Sequence, residues 1–532
     1  MDLRPKEPTM PGTHVTRSDL PDVEVGGATL HALALQHCER LGDKPALVDA
    51  ATGRSITYRR LGAGVERVAA GLVARGFGSG DVLALYSPNL PEYALAAYGA
   101  MAAGGLVTGA NPSLTADELA VQLADAGVRL LVTVPPLLER ALLAADRAGV
   151  EEVLVFGEAD GVTSFGTLVA HWHPSAATVR PDGGRVAALP YSSGTTGLAK
   201  GVELTHESLV TNVRQSQAVL AFREDDVVVA AAPFFHALGF NLLLPCSLAA
   251  GATVVTVAQV DLGTFLGAIQ EHRGTVTIVV PPLALALAGH PVVDSYDLSS
   301  LRMVGVGAAP LGADAEQRCA ERLGVVAGQG LGMTEACALI TVGPLDRPRR
   351  GSVGRLVPNT EARIVDPVTG ADLGPGRTGE LWVRGPQLMR RYRGAPQATA
   401  ATLDADGWLH SGDLCHFDDD GFLYVVDRLK ELIKCNGFQV APAELEHLLL
   451  THPAVADAAV VPRPDEAAGQ VPVAYVSLRS EVTADELLAY VAERVAPYKR
   501  LRAVRIASSV PRSPAGKLLR RTLVDAEREV RT

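Results

Sequence analysis

Short runs of β-branched and leucine residues alternate with longer Ala/Leu-rich stretches along most of this chain. Val82–Tyr86 precedes a helical pattern over Pro91–Ala103, and Leu130–Val134 precedes one over Pro136–Ala148. Val227–Ala232, Thr253–Val257 and Val276–Val280 are further apolar runs followed by helical stretches. Apolar runs too short for a helix, each followed by a helical period, predict parallel sheets with helices on their faces, an α/β fold. From Glu361 to Trp382 the pattern changes to hairpins. Ala362–Val365 and Gly379–Val383 flank a turn region over Pro367–Gly376, which predicts a β-rich subdomain. Past Asp427–Lys430 the pattern is helix Pro442–Leu450, strands Val455–Val461 and Val471–Leu478, then helix Ala484–Val495. That unit has about 100 residues, the size of a small α+β domain. The expected division is a loose tail over 1–24, a large N-terminal domain over 25–429 and a small mobile C-terminal domain over 430–532.

Composition narrows the class. A chain of 532 residues exceeds what one core supports, so at least two domains are expected. Its 48% hydrophobic and 20% charged residues are those of an ordinary globular protein, and a net charge of −11 argues against a nucleic-acid binder. Two long uncharged runs, Gly239–Val260 and Gly274–Gly289, are interrupted by Asn241, Pro245 and Gly251 and by Pro281-Pro282. They read as buried core segments, not membrane spans. The six cysteines show no metal-ligand or redox spacing, and the polar, Pro-rich N-terminus is no signal peptide. A cytoplasmic protein with reduced cysteines is expected.

The candidate chemistry begins at Ser192-Ser193-Gly194-Thr195-Thr196-Gly197-Leu198-Ala199-Lys200-Gly201, between an apolar strand and a helix start. Glycines let backbone N–H groups crowd an anion, hydroxyls add donors, and Lys200 adds positive charge. The spacing is not G-x-x-x-x-G-K-[ST], so this is a nucleotide loop of another kind or a plain surface turn. Gln329-Gly330-Leu331-Gly332-Met333-Thr334-Glu335 offers a hydroxyl beside a carboxylate, suited to a phosphate oxygen and a magnesium ion, although Thr-Glu also opens helices. Gly407–Asp413 presents an aspartate after a glycine turn, and Pro511–Lys517 presents a lysine after a glycine. Singly, each also fits a turn or a solvated surface.

Together, in this order, these segments resemble the adenylate-forming ligase superfamily, most of all the 4-coumarate–CoA and bacterial cinnamate–CoA ligases. Leu189–Gly197, Pro233-Phe234-Phe235-His236, Gly379–Gly385, Gly407–Asp413, Val426–Leu432, Gly437–Glu446 and Val495–Arg500 carry the likeness. It implies activation of a carboxylic acid by ATP as an acyl-adenylate, with pyrophosphate release, then transfer to CoA. By this resemblance Ser192, Ser193, Gly194, Thr195, Thr196, Gly197 and Lys200 would hold the outer phosphates. Thr334 would hold the α-phosphate, Glu335 the Mg²⁺, and Gln329, Gly330 and Leu331 would border the nucleotide. Asp413 and Arg428 would take the ribose hydroxyls. Lys517 would bridge carboxylate and α-phosphate as charge builds. Rotation about Lys430 would then bring Lys434 and Gln439 toward AMP for the second step. His236, Ala237, Gly305, Gly307, Ala308, Gly332, Met333 and Ala338 would form the acid pocket.

Three departures stand out. Leu331 replaces the family's usual tyrosine, removing a stacking partner for adenine worth about 1 kcal/mol. Ala199 stands where proline is common. Asn436 replaces a lysine near the CoA path, and Cys435 has no histidine placed as a base. Asn436 and Ala237 motivate an alternative in which the same adenylating machinery serves amide formation, carrier-protein loading or nitrite activation for aryl-amine diazotisation. The substrates expected are an apolar monocarboxylate, aryl-propenoate by the resemblance, with CoA or another acceptor. No nucleic acid or membrane partner is expected, and the assembly would be a monomer or homodimer.

Overall fold

A computed structural model describes residues 14–170, 183–192, 199–309, 311–343, 349–435, 438–465, 468–513 and 516–529. The chain divides into two compact units. One comprises Ser18–Thr360 with Arg384–Gly407; the described parts of the other are 14–17, Glu361–Val383 and 408–529.

The first unit contains two sheets, each of nine strands among the described residues. In one, Val82–Tyr86 lies between Leu106–Ala110 and Val128–Thr133, parallel to both. In the other, Val227–Ala230, Thr253–Thr256, Val276–Val279, Met303–Val306 and Val326–Leu331 run parallel. The helices Leu262–His272, Pro281–Gly289 and Ala313–Leu323 cover that sheet. Phe265, Leu266 and Ile269 of the first helix are fully buried with Val229, Val255 and Val304, each such side chain worth about 1.5–3 kcal/mol. Pro281-Pro282 occupies the first helical turn, where missing N–H groups cost nothing, and Gly324 ends helix 313–323 in the left-handed conformation. The alternation of apolar runs and helical periods thus becomes the expected parallel architecture.

Local boundaries differ where backbone chemistry overrides the pattern. The stretch from Pro136 opens as a 3-10 turn, Pro135–Leu137, before the helix Leu138–Ala148. The first uncharged run is helical through its expected interruptions. A π-helical segment, Leu238–Leu243, continues directly into Leu244–Ala250, and Gly251 alone stops it. Asn241 does not break the helix, because its side chain bonds the Cys337 carbonyl at 2.6 Å instead of its own backbone. Among the described residues, no helix is long and apolar enough to cross a membrane.

The second unit carries the expected β-rich portion, an antiparallel sheet containing Glu361–Val365, Gly379–Arg384, Leu409–Phe417 and Leu423–Arg428. Thr16–Arg17 adds an edge strand beside Ala362 and Glu361. This part of the expected loose tail is therefore ordered by backbone pairing. In the first unit, Ser18 and Val23 are also tied down, through Leu356 O and Asn359 Oδ1. Among the described residues, the remainder of the second unit builds a five-stranded sheet with helices Pro442–Leu450 and Ala484–Ala492, closed around Leu445, Leu449, Leu487, Val491 and Val504. All six cysteines are buried free thiols.

Candidate active site

Toward the carboxyl ends of the parallel strands 276–279, 303–306 and 326–331, the first unit opens a pocket of about 760 Å³, counted with the open space at its mouth. Strand ends in parallel sheets are where loops diverge and leave room for ligands. All eight residues expected for an acid pocket line this one cavity: His236, Ala237, Gly305, Gly307, Ala308, Gly332, Met333 and Ala338. Leu220, Leu238, Leu242, Ile278, Val304 and Val306 add hydrocarbon, and no Asp, Glu, Lys or Arg lines it among the described residues. A second carboxylate here would lose its hydration without gaining a counter-charge.

His236 sits at a turn that Asn89 builds. The buried Asn89 amide donates to the Ala230 and Ala232 carbonyls at 3.2 and 3.0 Å and accepts the Phe234 N–H at 2.7 Å. The Leu238 N–H points to His236 Nδ1 at 3.4 Å. At Leu339, which also lines the pocket, Asn212 pairs with both backbone groups, accepting at 3.1 Å and donating at 2.8 Å.

Gln329, Gly330 and Thr334 also line the pocket. The segment is strand through Leu331: Gln329 pairs with Val306, and Gly330 with Val342. The Gln329 side chain is committed to protein. It accepts the Leu311 N–H at 2.7 Å and donates to Leu311 O at 2.9 Å and to buried Glu316 at 2.6 Å. Its amide therefore holds the pocket loop in place. Leu331 closes the strand, its carbonyl accepting from Ile340 at 2.9 Å.

Thr334 and Glu335 are buried in a short 3-10 turn. Tyr392 donates its phenol proton to Glu335 Oε1 at 2.7 Å, and Lys200 Nζ lies 5.1 Å from the Tyr392 ring centre. Ser192 and Lys200 pair on adjacent strands, whereas Ser193, Gly194, Thr195, Thr196 and Gly197 lie outside the described residues. Among the described residues, no cluster of three or more His, Cys, Asp or Glu could cage a metal. One carboxylate beside a hydroxyl fits Mg²⁺ that shares its remaining positions with phosphate oxygens and water.

In the second unit, Asp413 and Arg428 face each other across adjacent strands, with Arg428 Nε 3.0 Å from Asp413 Oδ1. Asp413 lies within a strand rather than at a plain turn. Burial pushes its carboxyl up, opposed by the charges of Arg428 and Lys517. Lys517 is held by Ser513: its N–H reaches Ser513 Oγ at 3.1 Å, and its carbonyl accepts the Ser513 N–H at 2.7 Å. Arg512 braces this turn through Gly516 O and grips Asp457 with two bonds of 2.9 and 2.8 Å. Lys434 is exposed directly opposite Gln439 on a hairpin. Cys435 is buried, and burial pushes its thiol up, which weighs against a nucleophilic role. Asn436 lies outside the described residues.

Sequence reading missed Tyr392, Asn89, Asn212, Glu316 and the Asp457–Arg512 fork. Tyr392 stands 57 residues from Glu335 and Asn212 stands 127 from Leu339, so no local spacing signals either pair.

Comparison with known proteins agrees with this geometry. The family profile described as AMP-binding enzyme matches residues 35–393, and that of the AMP-binding enzyme C-terminal domain matches 444–517. The chain is 43% identical over 524 residues to 4-coumarate–CoA ligase 3 of Oryza sativa subsp. japonica, covering 96% of this chain and 94% of that protein. It is 41% identical over 545 residues to 4-coumarate–CoA ligase 3 of Arabidopsis thaliana, covering 98% and 95%. The crystal structure of the anthranilate CoA ligase AuaEII with anthranoyl-AMP shares the fold, with a TM-score of 0.89 at 24% identity and coverage of 95% and 98%.

Proposed function

This chain belongs to the family of AMP-binding enzymes, and from that premise we propose that it joins an apolar aryl-propenoic acid to CoA at the expense of ATP. A free carboxylate resists thiol attack because its leaving group would be oxide. In the first step a carboxylate oxygen bonds to the α-phosphorus of ATP, the bond to the β-phosphate bridge breaks, and pyrophosphate leaves. In the second, the CoA thiol adds to the carbonyl, the acyl–phosphate bond breaks, and AMP leaves. Little covalent work falls to the protein, so positioning and charge neutralisation carry the catalysis.

The observation that carries the reading is the cavity: eight residues expected for an acid pocket share one apolar space that Thr334 also borders. Its uncharged lining favours a monocarboxylate whose ring and propenyl carbons fill the hydrocarbon end. His236 would shape the carboxylate end. Thr334 would meet the α-phosphate, and Ser192 and Lys200 the outer phosphates. Glu335 would hold Mg²⁺, which when bound neutralises phosphate charge. From the second unit, Asp413 and Arg428 would take the ribose hydroxyls, Lys517 the carboxylate and α-phosphate, and Lys434 with Gln439 the second step. A cytoplasmic setting is part of the proposal, supported by six buried free thiols.

Incubation of the purified chain with coumarate- or cinnamate-type acids, ATP and Mg²⁺, with and without CoA, tests this. AMP and thioester should form together and require CoA. Adenylate without thioester for every acid, or AMP release that needs an amine and ignores CoA, would refute it. Lys517→Ala should abolish pyrophosphate release, and Lys434→Ala should slow mainly thioester formation.

A further inference from the structure

Tyr392 has no role in the reading above, yet it touches two of the groups assigned to the nucleotide and its metal. Its phenol donates to Glu335 Oε1 at 2.7 Å. The Ser192 and Thr402 side chains lie near enough to the same phenol to pull its pKa down, against the larger upward effect of burial. The Lys200 ammonium lies 5.1 Å from the ring centre, within cation–π range. The ring is 5% exposed, so these contacts form in a poorly solvated place.

The backbone around Tyr392 is fixed independently. Residues Arg391–Tyr392 form a short strand against Lys200–Thr205, with Tyr392 opposite Val202 and Arg391 opposite Glu203. The flanking Arg390 and Arg393 N–H groups bond Glu203 O and Gly201 O at 2.9 and 2.8 Å. The Arg391 guanidinium pairs with buried Glu203 at 2.8 Å. Met389 N–H reaches the Glu335 carbonyl at 2.7 Å, so backbone and phenol grip Glu335 from one strap. The Tyr392 N–H bonds Thr399 Oγ1 at 3.0 Å.

We propose that Tyr392 is a positioning residue for the metal–phosphate end of the site, fixing the plane of the Glu335 carboxylate beside Lys200. A carboxylate with one oxygen held by a phenol has a set orientation, so its other oxygen offers lone pairs in one direction. Without that bond the carboxylate turns about its last torsion, and Mg²⁺ binding must first stop that motion. This inference rests on Glu335 being the Mg²⁺ ligand.

Tyr392→Phe keeps the ring under Lys200 and removes only the hydroxyl. Calorimetric titration of ATP without acid, in Mg²⁺ and in chelator, should show the gain in affinity from Mg²⁺ cut by about tenfold, the loss of one charge-assisted bond, with chelator affinity unchanged. The Mg²⁺ concentration for half-maximal pyrophosphate release should rise by a similar factor, while the KM for the acid and thioester formation from supplied acyl-adenylate stay unchanged. Equal Mg²⁺ effects in wild type and variant would overturn the inference, as would a uniform loss across both half-reactions and thermal stability. Glu335→Gln separates the premises. If it too leaves Mg²⁺ binding intact, the assignment of Glu335 has failed; if it alone lowers Mg²⁺ binding, only the role of Tyr392 has.

Discussion

Gly332→Ala is the most exacting test of the pocket geometry. Gly332 has no left-handed φ, so alanine is conformationally allowed there and the whole penalty is steric. A Cβ would stand 1.6 Å from the Ala338 carbonyl oxygen, 2.7 Å from its carbon and 3.4 Å from Leu339 Cα. Normal contact requires that wall to retreat by about 1.5–2 Å. Four bonds pin it: two from Asn212 to Leu339, one from Asn241 to Cys337 O at 2.6 Å, and one from Ile340 N–H to Leu331 O at 2.9 Å. Such a shift breaks at least one of them and strands a buried partner, at about 1–3 kcal/mol, with overpacking strain of similar size added. The expected consequence is a fall in Tm of about 5 °C or more and a rise in the KM for the acid of about tenfold. Gly307→Ala is the control, because its Cβ would meet Leu238 at an ordinary 3.5 Å. It should leave Tm within about 1 °C of wild type. Thermal melts and acid titrations of both variants decide the matter. A Gly332→Ala protein with wild-type Tm and KM would refute the claim that this wall is rigid.

Two further outcomes follow from the second unit. Asp457→Asn removes the charge that holds Arg512 and loosens the turn bearing Lys517, so pyrophosphate release should slow by about tenfold while thioester formation from supplied acyl-adenylate holds. Equal slowing of both steps would contradict it. Asp427 accepts the Ala443 N–H at 2.9 Å, and burial pushes its carboxyl up to about 6 from an ordinary 3.8. A carboxyl raised on folding binds its proton more tightly in the native state. Its contribution to stability is therefore present at low pH and declines as pH rises from about 4 to about 6. Urea unfolding of wild type relative to Asp427→Asn should show that decline, and a flat difference across the window would count against it.

How far the fold and site were legible depends on the range of the interactions involved. Parallel strands and their covering helices follow from local periodicity, and Pro442–Leu450 was readable to the residue because a proline opens it. The eight pocket positions were legible because a family resemblance carries spacing that local propensity does not. Gln329 shows the limit. Its place in the motif put it at the border of the nucleotide, but only packing could reveal that its amide is engaged by Leu311 and Glu316. The expected loose tail differs at Thr16–Arg17 for a similar reason, since polar composition says nothing about a sheet edge beside Ala362.

By itself, then, the order of residues determined the element types, the family and the chemical groups on offer, since each is written in local periodicity or motif spacing. The tertiary structure decided which distant groups hold them. Tyr392 finds Glu335, Asn212 finds Leu339 and Asp457 finds Arg512 because packed elements bring them within hydrogen-bond reach. A buried donor takes whichever acceptor the packing presents, and no short-range pattern encodes that choice.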